Sequence, residues 1–376
     1  MAGRIVLLGA TGYTGTLTAQ ALARRGAKPV LAGRDPTRLA PLAERLGALD
    51  TAQVDVSELA AVRLLVEPDD VLVTTVGPFV QLGEPAIRAA AEAGARYLDS
   101  TGEPAFIRRV FEEFGPLAGG TGGALLTAFG YDYLPGNLAG ALALRAAGPA
   151  GTSVDIGYFL TGPTRRGFSA GTARSVAEQL GVIGFGFSGG RLRDEVSGPS
   201  LGTFNIAGRT RDGISIGASE HFTLPRLHPE LTDVNVYLGW FGKRTRAVHR
   251  VARLTAPAFR LRPVAAAARA AATALTNTVA SRMPQPQRSS DLRTTVVARA
   301  KDAGGAILAE VLLDGPEPYQ LTADLLAWGA TTAAAGGVHG TGALGPVDAF
   351  GLDELAAACA ELGLRRHDQD PPGTPR

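Results

Sequence analysis

The chain has 376 residues, of which 45% are hydrophobic and 19% charged, and this length and balance are typical of a globular protein of about two domains. Its net charge of +2, from 37 basic and 35 acidic residues, is too small to favour nucleic acid as a partner. Cys359 is the single cysteine, and the sequence shows no secretory leader and no apolar run long enough to span a membrane. We therefore expect a cytoplasmic protein without an internal disulfide.

The first predicted strand, residues 5–8, runs into a glycine-rich turn and then a helix-forming stretch. Strand, G-x-x-G-x-x-G turn and helix together favour binding of a dinucleotide pyrophosphate, because the helix start presents N–H groups and a positive dipole end to the anion. Gly9 permits the sharp turn, Gly12 lets the backbone approach the phosphates, and Gly15 lets the helix pack closely. The expected phosphate ligands lie in this turn: Gly9, Thr11, Gly12, Tyr13, Thr14 and Gly15.

The second predicted strand, residues 29–33, ends where a dinucleotide fold contacts the adenosine ribose. An acidic residue there binds the 2′-hydroxyl of NAD, whereas a basic residue accommodates the 2′-phosphate of NADP. Arg34 occupies that place, and Arg38 follows about one helical turn later, so the sequence predicts NADP(H) as the cofactor. Asp35 is an alternative ribose ligand, although its position before Pro36 is typical of a helix N-cap.

Two further strands extend the cofactor site. The third, residues 53–56, places Asp55 near its end, beside the adenine or as a turn acid, and both interpretations stay open. The fourth, residues 70–76, leads into a loop that we expect to face the nicotinamide, because ligands lie beyond the carboxyl ends of parallel strands. The loop residues expected at the cofactor are Val76, Gly77, Pro78 and Phe79.

Strands at residues 96–99 and 123–129 complete a pattern of alternating strands and helices over residues 1–135. This alternation predicts an α/β fold with a doubly wound parallel sheet of the Rossmann type. Hydride transfer from a nicotinamide needs a nearby proton donor, and the loop after the last of these strands offers Tyr131, Asp132 and Tyr133.

His339 is a further catalytic candidate, from a glycine-rich loop at residues 336–342. Two structural alternatives stay open: Asp132 as a helix cap and His339 as a hydrogen-bonded loop residue. The remaining histidines, such as His221, His228 and His249, lack metal-ligand spacing, so we expect no metal site.

Several short motifs recur here in an order that resembles the saccharopine dehydrogenase-like oxidoreductases, and is most similar to their trans-acting enoyl reductase branch. The resemblance implies an NADP-binding Rossmann domain, an inserted α+β domain and a C-terminal return to the first domain. It also implies an NADPH-dependent reduction. The substrate is either an enoyl thioester, free or carrier-bound, or an amino-acid-like imine. A non-catalytic dinucleotide-binding protein is the third alternative. The motifs lie at residues 9–15, 32–34, 76–79, 83–85, 97–103 and 130–135.

From these features we predict a Rossmann domain at residues 1–135, an α+β substrate and oligomerisation domain at 136–335, a returning segment at 336–364 and a disordered tail at 365–376. Within the second domain, Arg165, Arg166 and residues 169–172 precede a predicted helix, either as an anion site or as a solvated loop.

A basic segment, residues 243–288, contains ten lysines and arginines and no acidic residue. Its predicted helices fit a peripheral membrane contact, a surface for an acidic carrier domain, a homodimer arm, a cover over the pocket or a solvated face, and all these interpretations stay open.

Overall fold

The computed structural model describes most of the chain. The described residues are 3–162, 183–196, 200–206, 208–240, 242, 245–247, 249–250, 253 and 292–367.

The amino-terminal part alternates between short buried strands and helices, as its apolar runs predict. A π-helical stretch, Val110–Phe114, joins α6 to α7. The elements are β1 (Ile5–Leu8), α1 (Tyr13–Arg24), β2 (Val30–Gly33), α2 (Pro36–Arg45), β3 (Thr51–Gln53), α3 (Leu59–Arg63), β4 (Val71–Thr74), α4 (Phe79–Leu82), α5 (Glu84–Ala93), β5 (Arg96–Asp99), α6 (Pro104–Arg109), α7 (Gly115–Thr121) and β6 (Ala124–Leu126).

The second part is built mainly of longer strands. A 3-10 turn, Gly148–Ala150, precedes the first of them. The elements are α8 (Leu134–Ala147), β7 (Ser153–Thr161), β8 (Ile183–Ser188), β9 (Arg191–Val196), β10 (Leu201–Ile206), β11 (Arg209–Ser215), α9 (Glu220–Leu227), β12 (Asp233–Leu238), β13 (Arg293–Lys301), β14 (Ile307–Gly315), α10 (Pro318–Ala334), β15 (Gly342–Ala343), α11 (Pro346–Phe350), α12 (Leu352–Glu361) and β16 (Arg365–His367).

The first sheet has seven strands in the order β15-β6-β5-β4-β1-β2-β3, and all its pairings are parallel. Its central strands β1 and β4 are buried along their whole length, as expected of a sheet covered on both faces. The predicted doubly wound fold is confirmed. Its strand order reverses beside β1, so the loops after β1 and β4 meet at a topological switch point, where such folds bind ligands.

The second sheet is mixed and has nine strands. Its path is β10-β11-β12-β7-β13-β14-β16, with β8 paired to β12 and β9 paired to β8. β12 and β7 run parallel, whereas the other pairs are antiparallel. Helix α8 leaves the first sheet after β6 and packs on β7, β13 and β14, so the loop between β6 and α8 lies between the two sheets.

The chain returns to the first sheet through α10 and β15. Helix α10 lies within the predicted range 136–335, yet it packs on α1, with an Arg24–Asp324 ion pair of 2.7 Å and an edge-on contact between the rings of Tyr13 and Tyr319. Strand β15 pairs with β6, adding the seventh strand to the sheet.

Two features of the second sheet are not predicted by the sequence pattern. The β8–β9 hairpin is absent from the predicted elements because Gly184 and Gly186 interrupt the apolar alternation of β8. Residues 365–367 belong to the predicted disordered tail, but they form β16, which pairs antiparallel with Leu312–Asp314 of β14. Their charged, exposed side chains give no strand signal; residues 368–376 lie outside the described residues.

Candidate functional site at the carboxyl edge of the first sheet

The glycine turn after β1 has a backbone that depends on two of its glycines. Gly9 has a φ of +86°, a conformation that L side chains rarely adopt, and its N–H donates to the carbonyl of Ala32 at 2.9 Å. A Cβ on Gly15 would lie 2.1 Å from the carbonyl oxygen of Gly9. Helix α1 therefore packs against the turn at a distance that only glycine permits.

Gly12 differs, because the packing of the turn itself does not demand a glycine there. Its φ is −71°, it is exposed, and among the described residues a Cβ built on it would approach only the carbonyl oxygen of Gly9, at 3.3 Å. Gly12 is the N-cap residue of α1, whose first N–H groups have no acceptor within the helix. The open space over Gly12, with the half-buried Thr11, Tyr13 and Thr14 around it, fits the pyrophosphate of a dinucleotide.

The end of β2 presents two exposed arginines to the same edge of the sheet. Arg34 follows the strand directly, and Arg38 donates from its Nη2 to the carbonyl of Thr11 at 2.7 Å, which ties α2 to the glycine turn. Asp35 accepts from the N–H of Thr37 at 2.9 Å, so its predicted N-cap role is confirmed. The hydrogen bonds from Thr37 hold the pKa of Asp35 below its ordinary value.

Asp55 lies just beyond β3, which ends at Gln53. Its Oδ1 accepts from the N–H of Ser57 at 2.9 Å and from the Ser57 hydroxyl at 2.7 Å, and these bonds lower the pKa of the carboxyl group. The structure thus shows the geometry of a turn acid, and a contact with adenine stays a prediction.

The loop after β4 lies directly beside the glycine turn. A Cβ on Gly9 would be 2.6 Å from Cγ2 of Val76, and the hydroxyl of Thr75 donates to the carbonyl of Gly9 at 3.3 Å. The peptide between Gly77 and Pro78 is cis. The structure therefore brings the predicted phosphate turn and the predicted nicotinamide loop together.

A buried carboxylate, which the sequence analysis did not single out, holds this loop in place. Glu103 accepts from the N–H of Phe79 through Oε1 and from the N–H of Val80 through Oε2, both at 2.9 Å. Phe79 and Val80 open the short helix α4, so Glu103 caps that helix from the loop after β5. The one feature of the sequence that could have indicated Glu103 is its place within a loop that follows a predicted strand.

Asp99 joins the ends of β5 and β6. It is fully buried and accepts from the N–H groups of Thr101 and Ala128, both at 2.9 Å, and from the hydroxyl of Thr127 at 2.8 Å. Burial raises the pKa of Asp99 to about 6, although these hydrogen bonds oppose the shift. Asp99 thereby sets the path of the chain into the tyrosine-containing loop after β6.

Asp132 lies in that loop, against the loop after β5. A Cβ on Gly102 would come within 2.9 Å of Oδ2 of Asp132. The other carboxyl oxygen, Oδ1, is buried and has no hydrogen-bond partner among the described residues. Burial raises the pKa of Asp132 to about 7, so a large share of its carboxyl groups carry a proton near neutral pH. The peptide between Asp132 and Tyr133 is cis.

The two tyrosines beside Asp132 are buried, and burial raises the pKa of both well above 10. The hydroxyl of Tyr131 lies 3.4 Å from the carbonyl oxygen of Phe159 and accepts from the indole N–H of Trp240 at 3.3 Å. The hydroxyl of Tyr133 lies 3.4 Å from the carbonyl oxygen of Gly102. Both hydroxyls therefore stay neutral, and both rings pack edge-on against Tyr158.

The amino-terminal geometry agrees with a known family. Residues 5–113 match the model of the saccharopine dehydrogenase NADP-binding domain. This part of the chain is therefore similar to that family. The saccharopine dehydrogenase NADP-binding domain contains the glycine turn, Arg34, Arg38, Asp55 and the loop after β4, so the prediction of an NADP(H)-binding domain is confirmed. It ends before Asp132 and its neighbouring tyrosines.

Curated relatives match about half of this chain. A Mycobacterium tuberculosis protein is 38% identical over 186 residues, and the trans-acting enoyl reductase of Mycobacterium ulcerans is 35% identical over 184 residues. Each alignment covers 47% of this chain and 44% of the relative, so the chain spans about half the length of these curated relatives.

The fold of the whole chain, beyond the NADP-binding domain, is similar to that of apo saccharopine dehydrogenase (L-Glu forming) from Saccharomyces cerevisiae. The TM-score is 0.61 with 14% sequence identity, and the comparison covers 97% of this chain and 99% of the yeast protein. At this identity the likeness concerns the fold.

His339 is not brought to the other catalytic candidates. It is exposed, its N–H donates to the carbonyl of Ala349 at 2.8 Å, and it precedes β15, which runs parallel to β6. The start of β15 lies at the amino edge of the sheet, whereas Tyr131, Asp132 and Tyr133 follow β6 at the carboxyl edge. A glycine-rich sequence cannot reveal at which end of a strand its loop will lie.

Two predicted regions fall largely outside the described residues. Arg165, Arg166 and residues 169–172 are among them, as is most of the basic segment 243–288. Of that segment, Arg246 is described and forms an ion pair with Asp212 at 2.6 Å. The carrier, membrane and dimer contacts of the segment stay predictions.

The described part of the chain contains neither a metal-ligand cluster nor a membrane-spanning helix. No group of three or more metal-ligating side chains comes together there. Within the same residues, no helix has both the length and the apolar character required to cross a bilayer.

Proposed function

We propose that this protein is an NADPH-dependent oxidoreductase that reduces the carbon–carbon double bond of an enoyl thioester, free or attached to a carrier. The observation that carries the proposal is Asp132, an acid with a buried, unpartnered oxygen at the carboxyl edge of an NADP-binding sheet, where burial raises its pKa to about 7. Perturbed acids in such a place are typical of general acid catalysis. The name trans-acting enoyl reductase, carried by a relative 35% identical over half of this chain, supports the choice of substrate.

The residues of the first sheet fit the cofactor. The open face over Gly12 would hold the pyrophosphate, Arg34 would pair with the 2′-phosphate, and the loop of residues 76–79 would lie along the nicotinamide. When bound, NADPH supplies a hydride to the β-carbon of the double bond.

Asp132 supplies the proton in the proposed reaction. As the β-carbon gains its new C–H bond, the electron pair of the double bond moves toward the α-carbon and the thioester oxygen. The carboxyl group of Asp132 then gives its proton to the α-carbon, which completes the saturated thioester and leaves a carboxylate that takes a new proton from solvent. Because burial disfavours that carboxylate, re-protonation near neutral pH is favourable.

Tyr131 and Tyr133 serve a packing role in this proposal. Both hydroxyls lie against backbone carbonyls, and each would have to give up that contact to reach a substrate. Their rings, with Trp240 stacked on Tyr131 at 6.0 Å, present aromatic surface that suits an acyl chain. We place the reaction in the cytoplasm, since Cys359, the single cysteine, is a free buried thiol.

The test follows NADPH oxidation with a series of trans-2-enoyl thioesters of increasing chain length, using NADPH deuterated at the transferring position. We expect NADPH-dependent turnover, with deuterium on the β-carbon and a solvent-derived hydrogen on the α-carbon. Oxidation of NADPH only with a keto acid and an amine would instead indicate imine reduction. Tight NADPH binding without turnover on either class would indicate a non-catalytic protein.

A further inference from the structure

A buried polar cluster lies behind Asp132, on the side of the second sheet. We call it the Tyr158 cluster. Tyr158 and Glu220 within it are 0% exposed. Its members come from β7, from the start of α8 and its preceding loop, and from the start of α9: Tyr133, Asn137, Tyr158, Ser219, Glu220 and Thr223.

The hydroxyl of Tyr158 has more partners than an ionised glutamate would allow. It accepts from the N–H of Gly136 at 2.8 Å, and it lies 2.9 Å from the carbonyl oxygen of Tyr133 and 2.6 Å from Oε1 of Glu220. A hydroxyl has one hydrogen, and a carbonyl oxygen only accepts. If Tyr158 donates to the carbonyl of Tyr133, then Oε1 of Glu220 must itself carry the hydrogen of the shortest contact.

The other side of the cluster agrees with this hydrogen count. The amide nitrogen of Asn137 donates to the carbonyl of Tyr133 at 3.0 Å and to the hydroxyl of Ser219 at 2.9 Å. The Ser219 hydroxyl donates in turn to Oε2 of Glu220 at 3.3 Å. These bonds form with Glu220 in either state. The contact between the Tyr158 hydroxyl and the Tyr133 carbonyl distinguishes the two, because it has a hydrogen when Glu220 is a neutral acid and lacks one when Glu220 is charged and accepts from Tyr158.

We propose that Glu220 is a positioning residue that acts as a neutral carboxylic acid. It donates to Tyr158, which donates to the carbonyl of Tyr133, and this chain of hydrogen bonds holds the adjoining Asp132 against Gly102. The proposal concerns the protonation and packing of the site, and its kinetic consequence rests on the proposed function.

The groups that face Glu220 leave it without a cation. Tyr158 faces it from β7, Asp132 and Tyr133 from the loop before α8, and His221 follows it on α9. Burial lowers the pKa of His221 to about 4, so this ring is neutral, and no arginine or lysine of the described part of the chain pairs with Glu220. Burial raises the pKa of Glu220 to about 8, and Asp132 adds to the shift once its own carboxyl group has lost its proton above about pH 7.

The direct test is carbon NMR of protein labelled at the glutamate and aspartate carboxyl carbons, titrated with pH. We expect one glutamate resonance at the position of a protonated acid near neutral pH, titrating near pH 8, absent in E220Q and retained in E354Q, which removes an exposed glutamate of α12. If every glutamate resonance titrates in the ordinary acidic range, Glu220 is ionised and the proposal is overturned.

A second measurement tests the link to Asp132 without any substrate. In Y158F the chain of hydrogen bonds is broken while the ring stays, so we expect the aspartate resonance that titrates near pH 7 to move down by about one pH unit as water reaches the carboxyl group. An unchanged titration in Y158F would refute the positioning role, whatever the enzyme reduces.

The kinetic arm compares variants with enoyl thioester and NADPH. We expect Glu220→Leu and Tyr158→Phe each to lower kcat about tenfold with NADPH affinity unchanged, and not to add in the double variant. E220Q should recover most of the loss because its amide N–H replaces the acid hydrogen. Its activity should keep the fall through about pH 7 that Asp132 causes and lack the further fall near pH 8 that ionisation of Glu220 adds in wild type. Equal loss in E220Q and E220L would contradict the neutral acid.

Discussion

Arg34 should discriminate between the two nicotinamide coenzymes. It directly follows β2, and its side chain is exposed. The neighbouring acids Asp35 and Asp55 accept hydrogen bonds from Thr37 and Ser57. A guanidinium–phosphate contact is worth about 1.5–3 kcal/mol, which corresponds to a factor of about 10 to 150 in Kd. Because Arg34 is exposed and its charge is screened by salt, we expect Arg34→Ala to weaken NADPH binding by about tenfold to thirtyfold at moderate ionic strength.

The assay is a titration of coenzyme fluorescence with NADPH and NADH for wild type and variant at two salt concentrations. Arg34→Ala should leave NADH affinity unchanged, and the loss for NADPH should shrink as salt rises. Arg25→Ala is the matched control, since Arg25 is exposed at the C-terminal end of α1, opposite to the glycine turn. An equal loss for both coenzymes, or an equal effect of Arg25→Ala, would refute the assignment of Arg34.

Three further variants test other parts of the site. Gly12→Val should fold, because the φ of −71° at this position suits valine. It should weaken NADPH binding at least about a hundredfold, because the valine side chain fills the space for the pyrophosphate. Calorimetry that finds wild-type affinity would contradict this. Asp132→Asn should lower kcat about a hundredfold or more. In wild type, kcat should fall as pH rises through about 7, where Asp132 loses its proton. A flat pH–rate profile would count against Asp132 as the proton donor. Glu103→Gln should lower the midpoint of thermal unfolding. The amide oxygen can accept from one of the two N–H groups of Phe79 and Val80, and the other is left unpaired at a cost of about 1–3 kcal/mol. An unchanged midpoint would refute the capping role.

The sequence predicted the cofactor half of the site because its chemistry is local. Each decisive residue lies within a few positions of the strand that places it, and a parallel sheet collects the ends of β1, β2 and β4 at one edge. Gly9, with its φ of +86°, and Gly15, which touches the Gly9 carbonyl, carry backbone requirements that the spacing of glycines reveals.

The rest of the site depends on contacts between residues distant in the chain, which no local pattern records. Glu103 caps a helix 23 or 24 residues before it, and Glu220 reaches Tyr158 across 62 residues. His339 was grouped with Asp132 by residue type, and only the pairing of β15 with β6 shows that it lies at the other end of the sheet. Burial, which gives Asp132 and Glu220 their raised pKa values, is likewise a property of the folded chain.

The central claim is that the amino-terminal sheet holds NADPH where Asp132 delivers a proton. Single-turnover reduction of an enoyl thioester by deuterated NADPH, compared between wild type and Asp132→Asn, tests it most directly. We predict that both proteins bind NADPH with equal affinity and that only wild type transfers deuterium to the β-carbon at a substantial rate. Equal rates in the two proteins, or no NADPH binding to either, would contradict the claim.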